Sequence, residues 1–306
     1  MMYLLLILGF VLLIKGADFF VDGASSVAKL LKIPSVIVGL TVVAIGTSLP
    51  ELSVSLSASI AGNNDISLSN VVGSNIFNLL VVVGVSAAIC PMLTEQIIVK
   101  RDIWWSFGAA AALLIMMLDG AVSRIEGILL VAALVAYIVI LVRYAQKNRL
   151  EGDEIKTVGP LKTVLFLIIG PAAIIYGGDL VVDNATLIAK AIGMSDTFIG
   201  LTIVALGTSL PELVTSIVAA RKGDSGLALG NVVGSNIFNV LMIVGTSAAI
   251  TGAVHSSVLL MIDTGLLLAA TLIMYFICRS SKKINRWEGI ACVLMYAAYT
   301  VYITIR

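Results

Sequence analysis

Two glutamates, Glu51 and Glu212, stand inside otherwise apolar stretches, and each closes the same hexapeptide, GTSLPE, at 46–51 and 207–212. Thr47 precedes Glu51 by four residues and Ser48 by three, so on a helix the three side chains share one face. Thr208, Ser209 and Glu212 repeat that spacing. A second shared segment, NVVGSNIFN, begins at Asn70 and again at Asn231; it sets Ser74 four residues before Asn78 and Ser235 four before Asn239. The set holds hydroxyls, carboxamides and two carboxylates, with no His or Cys. Hard oxygen donors of this kind suit Ca²⁺, which takes about 6–8 oxygens at ~2.3–2.6 Å. They suit Na⁺ as well, and Zn²⁺ or Cu⁺ poorly.

Pro50 and Pro211 cannot donate a backbone hydrogen bond, which leaves the carbonyls of Gly46 and Gly207 without helical partners. Inside a membrane such carbonyls persist only where protein, water or a bound cation satisfies them. A lone Pro reads as a kink and a lone Ser as a helix back-bond. An acid is different, because a charge at the centre of a membrane helix costs ~2.5–3.5 kcal/mol. Two acids at equivalent positions, each beside a helix break, point to a binding site.

The elements that must position these groups are membrane spans. The 306 residues are 59% hydrophobic and 12% charged, with a mean hydropathy of +1.10; a soluble domain carries roughly 25% charged residues. The net charge of +1 comes without a basic patch and offers nothing to a nucleic acid. Segments of the ~20 residues that a bilayer requires fall at 2–28, 35–61, 68–91, 103–119, 125–142, 161–187, 196–220, 229–251, 257–278 and 287–305. The expected fold is an all-α membrane protein of ten transmembrane helices. The first apolar run lacks the basic start and small-residue cleavage site of a signal peptide.

With the N-terminus outside, the inner loops collect Lys29, Lys32, Lys100, Arg101, Arg143, Lys147, Arg149, Lys156, Lys162, Arg221, Lys222, Arg279, Lys282, Lys283 and Arg286. The outer side keeps Arg124, Lys190 and Arg306. This asymmetry predicts that both termini are extracellular and that the protein sits in a cell membrane. The matched motifs keep one offset of 161 residues, as in Glu51 and Glu212 or Asn78 and Asn239, and Asp18 with Asp179 and Asp22 with Asp183 share it. The chain divides into a five-helix repeat at 1–145 (motif 39–78), a cytoplasmic linker at 146–158 and a second repeat at 159–306 (motif 200–239). Five spans are an odd number, so the second repeat enters the membrane inverted, with helices 2 and 7 broken and a site expected at the midplane.

The remaining polar residues read more plainly. Asp18, Asp22, Asp179 and Asp183 are expected to pair with Lys29 or Lys190 or to be solvated, rather than to line an access path. His255 falls in an exposed turn, and Trp104, Trp105 and Trp287 read as interfacial anchors. Gly73 and Gly234 are expected to allow close helix approach. Cys90, Cys278 and Cys292 read as small buried hydrophobes.

GTSLPE and GSNIFN, paired in two inverted halves, resemble the α1 and α2 repeats of the Ca²⁺/cation antiporter superfamily, specifically the prokaryotic Na⁺/Ca²⁺ exchangers, over essentially the whole chain. The resemblance implies a core of spans 2–3 and 7–8 across which spans 1 and 6 slide. It implies side-chain ligands Thr47, Ser48, Glu51, Ser74 and Asn78, then Thr208, Ser209, Glu212, Ser235 and Asn239, with the backbone carbonyls of Ala44 and Ala205 completing the cage. Several relatives have Asp where this chain has Asn239. The linker at 146–158 is too short for the regulatory loop of eukaryotic relatives. The expected function is secondary active Na⁺/Ca²⁺ antiport by alternating access; a Ca²⁺/H⁺ antiporter is the alternative and a cation channel a more distant one. An enzyme is not expected, since Ser48 and Ser209 lack a His or Lys partner. Ca²⁺, Na⁺ or H⁺ and the lipid bilayer are the implied partners, with no cofactor, nucleic acid or obligate protein partner.

Overall fold

The computed structural model describes residues 1–148, 158–194 and 205–305. Eight helices among the described residues are long and apolar enough to cross a membrane. They are α1 (Met2–Leu31), α4 (Asn64–Ile89), α5 (Ile98–Asp119), α6 (Arg124–Lys147), α7 (Pro160–Ala191), α9 (Ser225–Thr251), α10 (Val258–Ser280) and α11 (Arg286–Ile305). A ninth crossing is a bent pair, α2 (Ser35–Thr47) and α3 (Leu49–Ile60), which meet at 49°. The span expected at 196–220 appears as the turn Ala205–Gly207 followed by α8 (Leu210–Arg221); residues 195–204, and 149–157 of the linker, lie outside the described residues. Several helices outrun their apolar stretches by a few residues because polar residues cap them beyond the hydrocarbon. Ser123 and Glu126, for example, form a reciprocal capping box that starts α6.

Four short strands depart from the all-helical expectation. β1 (Met92–Leu93) pairs antiparallel with β4 (Lys283–Ile284), and β2 (Ala121–Ser123) pairs with β3 (Ala253–His255). Each pair ties two inter-helix connections together at one end of the bundle. His255 is exposed as expected, but it sits in β3 opposite Ala121 rather than in a free turn. Val122 and Val254, buried side by side in that ladder, explain the difference.

Burial separates a core from a periphery. The apolar windows of α9 and α4 are 94% and 72% buried, whereas those of the other six long helices are 11–39% buried and offer their remaining surface to lipid. The GSN segments therefore sit at the centre. Close contact between α9 and α2 depends on Gly234, where an added Cβ would come within 2.7 Å of the Ala44 Cβ. Gly73 does not do the same: an added Cβ there meets nothing within 4 Å among the described residues. Its partner by the repeat would include Leu201, which lies outside them. Along the edge of this core, α1 and α7 pack on each other through small residues. An added Cβ on Gly16 would come within 2.9 Å of the Gly170 carbonyl, and one on Gly9 within 2.9 Å of the Gly177 carbonyl.

Candidate functional site

The bend between α2 and α3 lies at Ser48, whose φ of −83° and ψ of 6° leave the helical region. Pro50 falls in the first turn of α3, where its missing N–H displaces no helical bond. Ser209 and Pro211 repeat the arrangement at the start of α8. Each break turns a short helix start toward the centre with a glutamate in its first turn, Glu51 on α3 and Glu212 on α8. Both glutamates are fully buried. Thr47, Ser48, Ser74, Asn78, Ser209, Ser235 and Asn239 are buried with them, while Thr208 is half-buried.

The bonds among these residues cross between the halves and are reciprocal. Ser48 Oγ donates to Glu212 Oε1 at 3.1 Å, and Ser209 Oγ donates to Glu51 Oε1 at 3.1 Å. Ser74 Oγ lies 3.1 Å from Ser209 Oγ, and Ser235 Oγ lies 3.4 Å from Glu212 Oε1. The Ala44 carbonyl is 3.5 Å from Ser235 Oγ, at the rim of the same cluster. Ala205 occupies the matching place at the start of its turn, and its backbone precedes Thr208 and Ser209 as Ala44 precedes Thr47 and Ser48. Thr47 Oγ1 donates to Asn231 Oδ1 at 3.0 Å, and Thr208 Oγ1 to Asn70 Oδ1 at 3.4 Å. The glutamates and hydroxyls are thus linked across the two halves, while Asn78 and Asn239 follow Ser74 and Ser235 by one helical turn and are buried beside them.

Sequence reasoning missed the residues that hold that cluster. Asn75 Nδ2 donates to the Asn236 carbonyl at 3.1 Å, and Asn236 Nδ2 returns the bond to the Asn75 carbonyl at 3.1 Å. Their side-chain oxygens accept from Asn239 Nδ2 at 3.0 Å and Asn78 Nδ2 at 3.1 Å. Asn70 Nδ2 donates to Ser55 Oγ at 2.8 Å, and Asn231 Nδ2 to Ser216 Oγ at 3.0 Å. All four asparagines belong to the NVVGSNIFN repeats, which was the available signal.

With the amide nitrogens committed, the acceptors are left over. Glu51 Oε2, Glu212 Oε2, Asn78 Oδ1 and Asn239 Oδ1 are buried and have no hydrogen-bond partner among the described residues. An unpaired buried acceptor carries the full desolvation penalty of about 1–3 kcal/mol, more for a carboxylate. All four are acceptor oxygens, a set that a bound cation can satisfy.

The acidic pairs flanking the cluster differ. Asp18 and Asp22 on α1 pair with Lys222, at 3.4 and 2.8 Å, and not with Lys29. The reason is packing: α1 lies against the end of α8, and Lys222 follows directly after it. Asp179 and Asp183 on α7 line an open cavity of about 500 Å³ together with Pro50, Ser53, Val54 and Thr208. Lining an open cavity leaves both carboxylates the room for solvation expected of them.

The sodium/calcium exchanger protein family profile matches residues 1–143 and 162–305. The sodium/calcium exchanger MaX1 of Methanosarcina acetivorans is 35% identical, over 98% of this chain and 97% of its own. The inner membrane protein YrbG of Escherichia coli is 34% identical, over 98% of this chain and 95% of its own. Among solved structures, the sodium-calcium exchanger NCX_Mj soaked with 2.5 mM Na⁺ and 1 mM Sr²⁺ superposes with a TM-score of 0.86 at 33% identity, covering 98% of this chain and 97% of that one. The protein is a multi-pass membrane transporter rather than an enzyme, and it belongs to the sodium/calcium exchanger protein family.

Proposed function

We propose that the protein exchanges Na⁺ for Ca²⁺ by alternating access at the central cluster. The carrying observation is the set of four buried oxygens without donors, two from glutamates and two from asparagines. Hydroxyls of Thr47, Ser48, Ser74, Thr208, Ser209 and Ser235 and the carbonyls of Ala44 and Ala205 add more oxygens than the ~6–8 that one Ca²⁺ takes, so a single Ca²⁺ uses a subset of them. The two carboxylates balance one Ca²⁺, so a loaded site can be occluded without a net buried charge. The same oxygens in smaller groups serve Na⁺, and competition for shared ligands couples the two ions. The named function of MaX1 and NCX_Mj supports this choice of ions.

Ten helices in two inverted halves, 1–145 and 159–306, are the architecture that goes with this mechanism. Two observations support the inversion. The hydrogen bonds between the glutamates and serines are reciprocal. The strands equivalent by the repeat, β1 with β3 and β2 with β4, also lie at opposite ends, since each pairs with the other's counterpart. The basic residues then assign the β1–β4 end to the cytoplasm and both termini to the outside.

The test is ⁴⁵Ca uptake into proteoliposomes at fixed pH. An outward Na⁺ gradient should drive uptake, and Glu51→Gln or Glu212→Gln should abolish it while leaving the protein folded, because either change halves the charge facing the ion. Uptake that follows a pH gradient and ignores Na⁺ would assign the counter-ion to protons. Robust exchange by either variant would remove the glutamates from the site.

A further inference from the structure

The two mouths of the site are related by the 161-residue repeat, yet they are built from different chemistry. At the β1–β4 end Lys222, just after α8, donates to the Asp18 carbonyl at 3.0 Å and to Asp22 Oδ1 at 2.8 Å, and lies 3.4 Å from Asp18 Oδ1. Lys15 approaches Asp18 Oδ2 only to 3.8 Å. Two residues beyond Lys222, Asp224 accepts from Ser25 Oγ at 3.0 Å and from Ser35 Oγ at 2.6 Å. Helix α1 is thus pinned to the α8–α9 turn at two points, and one of them is an ammonium group seated between carboxylates.

Among the described residues, the equivalent contacts at the β2–β3 end are not made. The counterparts of Asp18 and Asp22 are Asp179 and Asp183, which line the 500 Å³ cavity. The counterpart of Lys222 is Ala61 and that of Asp224 is Asn63, so neither of these positions offers a charge to hold α7. The counterpart of Ser25 is Thr186, whose hydroxyl is buried without a partner among the described residues. One end thus carries a bonded latch, while the other carries an open cavity and, among the described residues, no matching latch.

We propose that Lys222 acts as a tethered cation that closes the cytoplasmic mouth. It occupies the Asp18/Asp22 pair that a transported cation would otherwise meet, and it biases the carrier toward the conformation open at the β2–β3 end. This rests on the alternating-access and orientation readings above. When α1 and α7 move across the core, Lys222 must release both aspartates. Among the described residues, the counterparts at the opposite mouth, Thr186 and Asn63, are neutral. The imbalance favours one state before any ion binds.

Val214 and Ser53 are equivalent by the repeat, and Ser53 lines the open cavity while Val214 is packed on the core. In a Cys90→Ser background, with the buried Cys278 and Cys292 retained, Val214→Cys is labelled with a membrane-impermeant maleimide from the cytoplasmic face of inside-out vesicles. Lys222→Ala should raise that labelling rate about fivefold, the range expected for loss of a partly exposed ionic contact. Lys222→Arg should keep the parental rate, and the exchange of Lys222→Asp with Asp22→Lys should return the rate toward it. A change of less than about twofold in Lys222→Ala, or a rise equally large in Lys222→Arg, overturns the latch. Ser53→Cys tests the underlying reading separately: it should label from the opposite face in the parent, and labelling from the cytoplasmic face would refute the orientation whatever Lys222 does.

Discussion

Asn75 and Asn236 hold the proposed ion ligands Asn239 and Asn78 through their amides. Each uses its side-chain oxygen to fix the amide of the opposite half's Asn239 or Asn78, which leaves that residue's own oxygen buried and without a donor among the described residues. Removing the acceptor frees the amide to rotate and presents N–H groups where an oxygen belongs. Asn236→Ala should therefore weaken the apparent Ca²⁺ affinity by roughly tenfold, as a lost buried hydrogen bond of ~1–1.5 kcal/mol implies. Flux measured against Ca²⁺ concentration checks this. A fall in thermal stability with unchanged affinity would make Asn236 a structural residue only. Asn239 itself carries no charge, which leaves Glu51 and Glu212 as the only buried acids among the described residues at the centre.

At the scale of elements, the connection between α4 and α5 shows how an acid outside the spans is managed. Glu95 lies against Gly226 at the start of α9, close enough that a side chain at 226 would collide with its carboxylate. Burial raises its pKa, and the nearby Asp224 and Asp102 raise it further. The folded state then holds the Glu95 proton more tightly than the unfolded chain does. The stability this provides is complete below the unfolded value and is lost as pH rises through the raised folded value. Ionised Glu95 thus opposes folding near neutral pH. Glu95→Gln should raise the melting temperature in detergent at about pH 7.5, and the gain should vanish as pH falls toward about 4, near the value of a free glutamate. An equal gain at both pH values would mean that packing, not charge, is the cause.

For the whole molecule, the pairing of β1 with β4 and of β2 with β3 divides the connections into two groups, one at each end of the bundle. The end with β1 and β4 also holds Lys222 and Asp224, since Leu93 N donates to Ser225 Oγ at 3.1 Å. The basic residues expected at the cytoplasm therefore gather where the structure gathers the connections. A single cysteine near Lys147 should be modified only from the cytoplasm, and one at His255 only from outside. The reverse pattern would turn the molecule over and exchange the identities of the open and latched mouths.

The oxygen chemistry of the site was legible in the sequence because it is local. Glu51 with Thr47 and Ser48, and Ser74 with Asn78, share helical faces at fixed spacing, and a doubled motif places the second set without any knowledge of the fold. The spans were legible for a related reason: lipid demands long apolar helices, so length and hydropathy suffice to find α1 or α6. Partners across the fold were not. Which hydroxyl meets which glutamate, and which lysine meets Asp18 and Asp22, depends on how α1, α8 and α9 pack, and no spacing within one helix encodes that. The β ladders escaped notice because two or three residues are too few to carry an alternating pattern. The sequence already makes the two ends unequal, with Ala61 where the repeat places Lys222 and Asn63 where it places Asp224; that Lys222 reaches Asp18 and Asp22 across the fold was decided by tertiary structure alone, because it depends on how α1 packs against the end of α8.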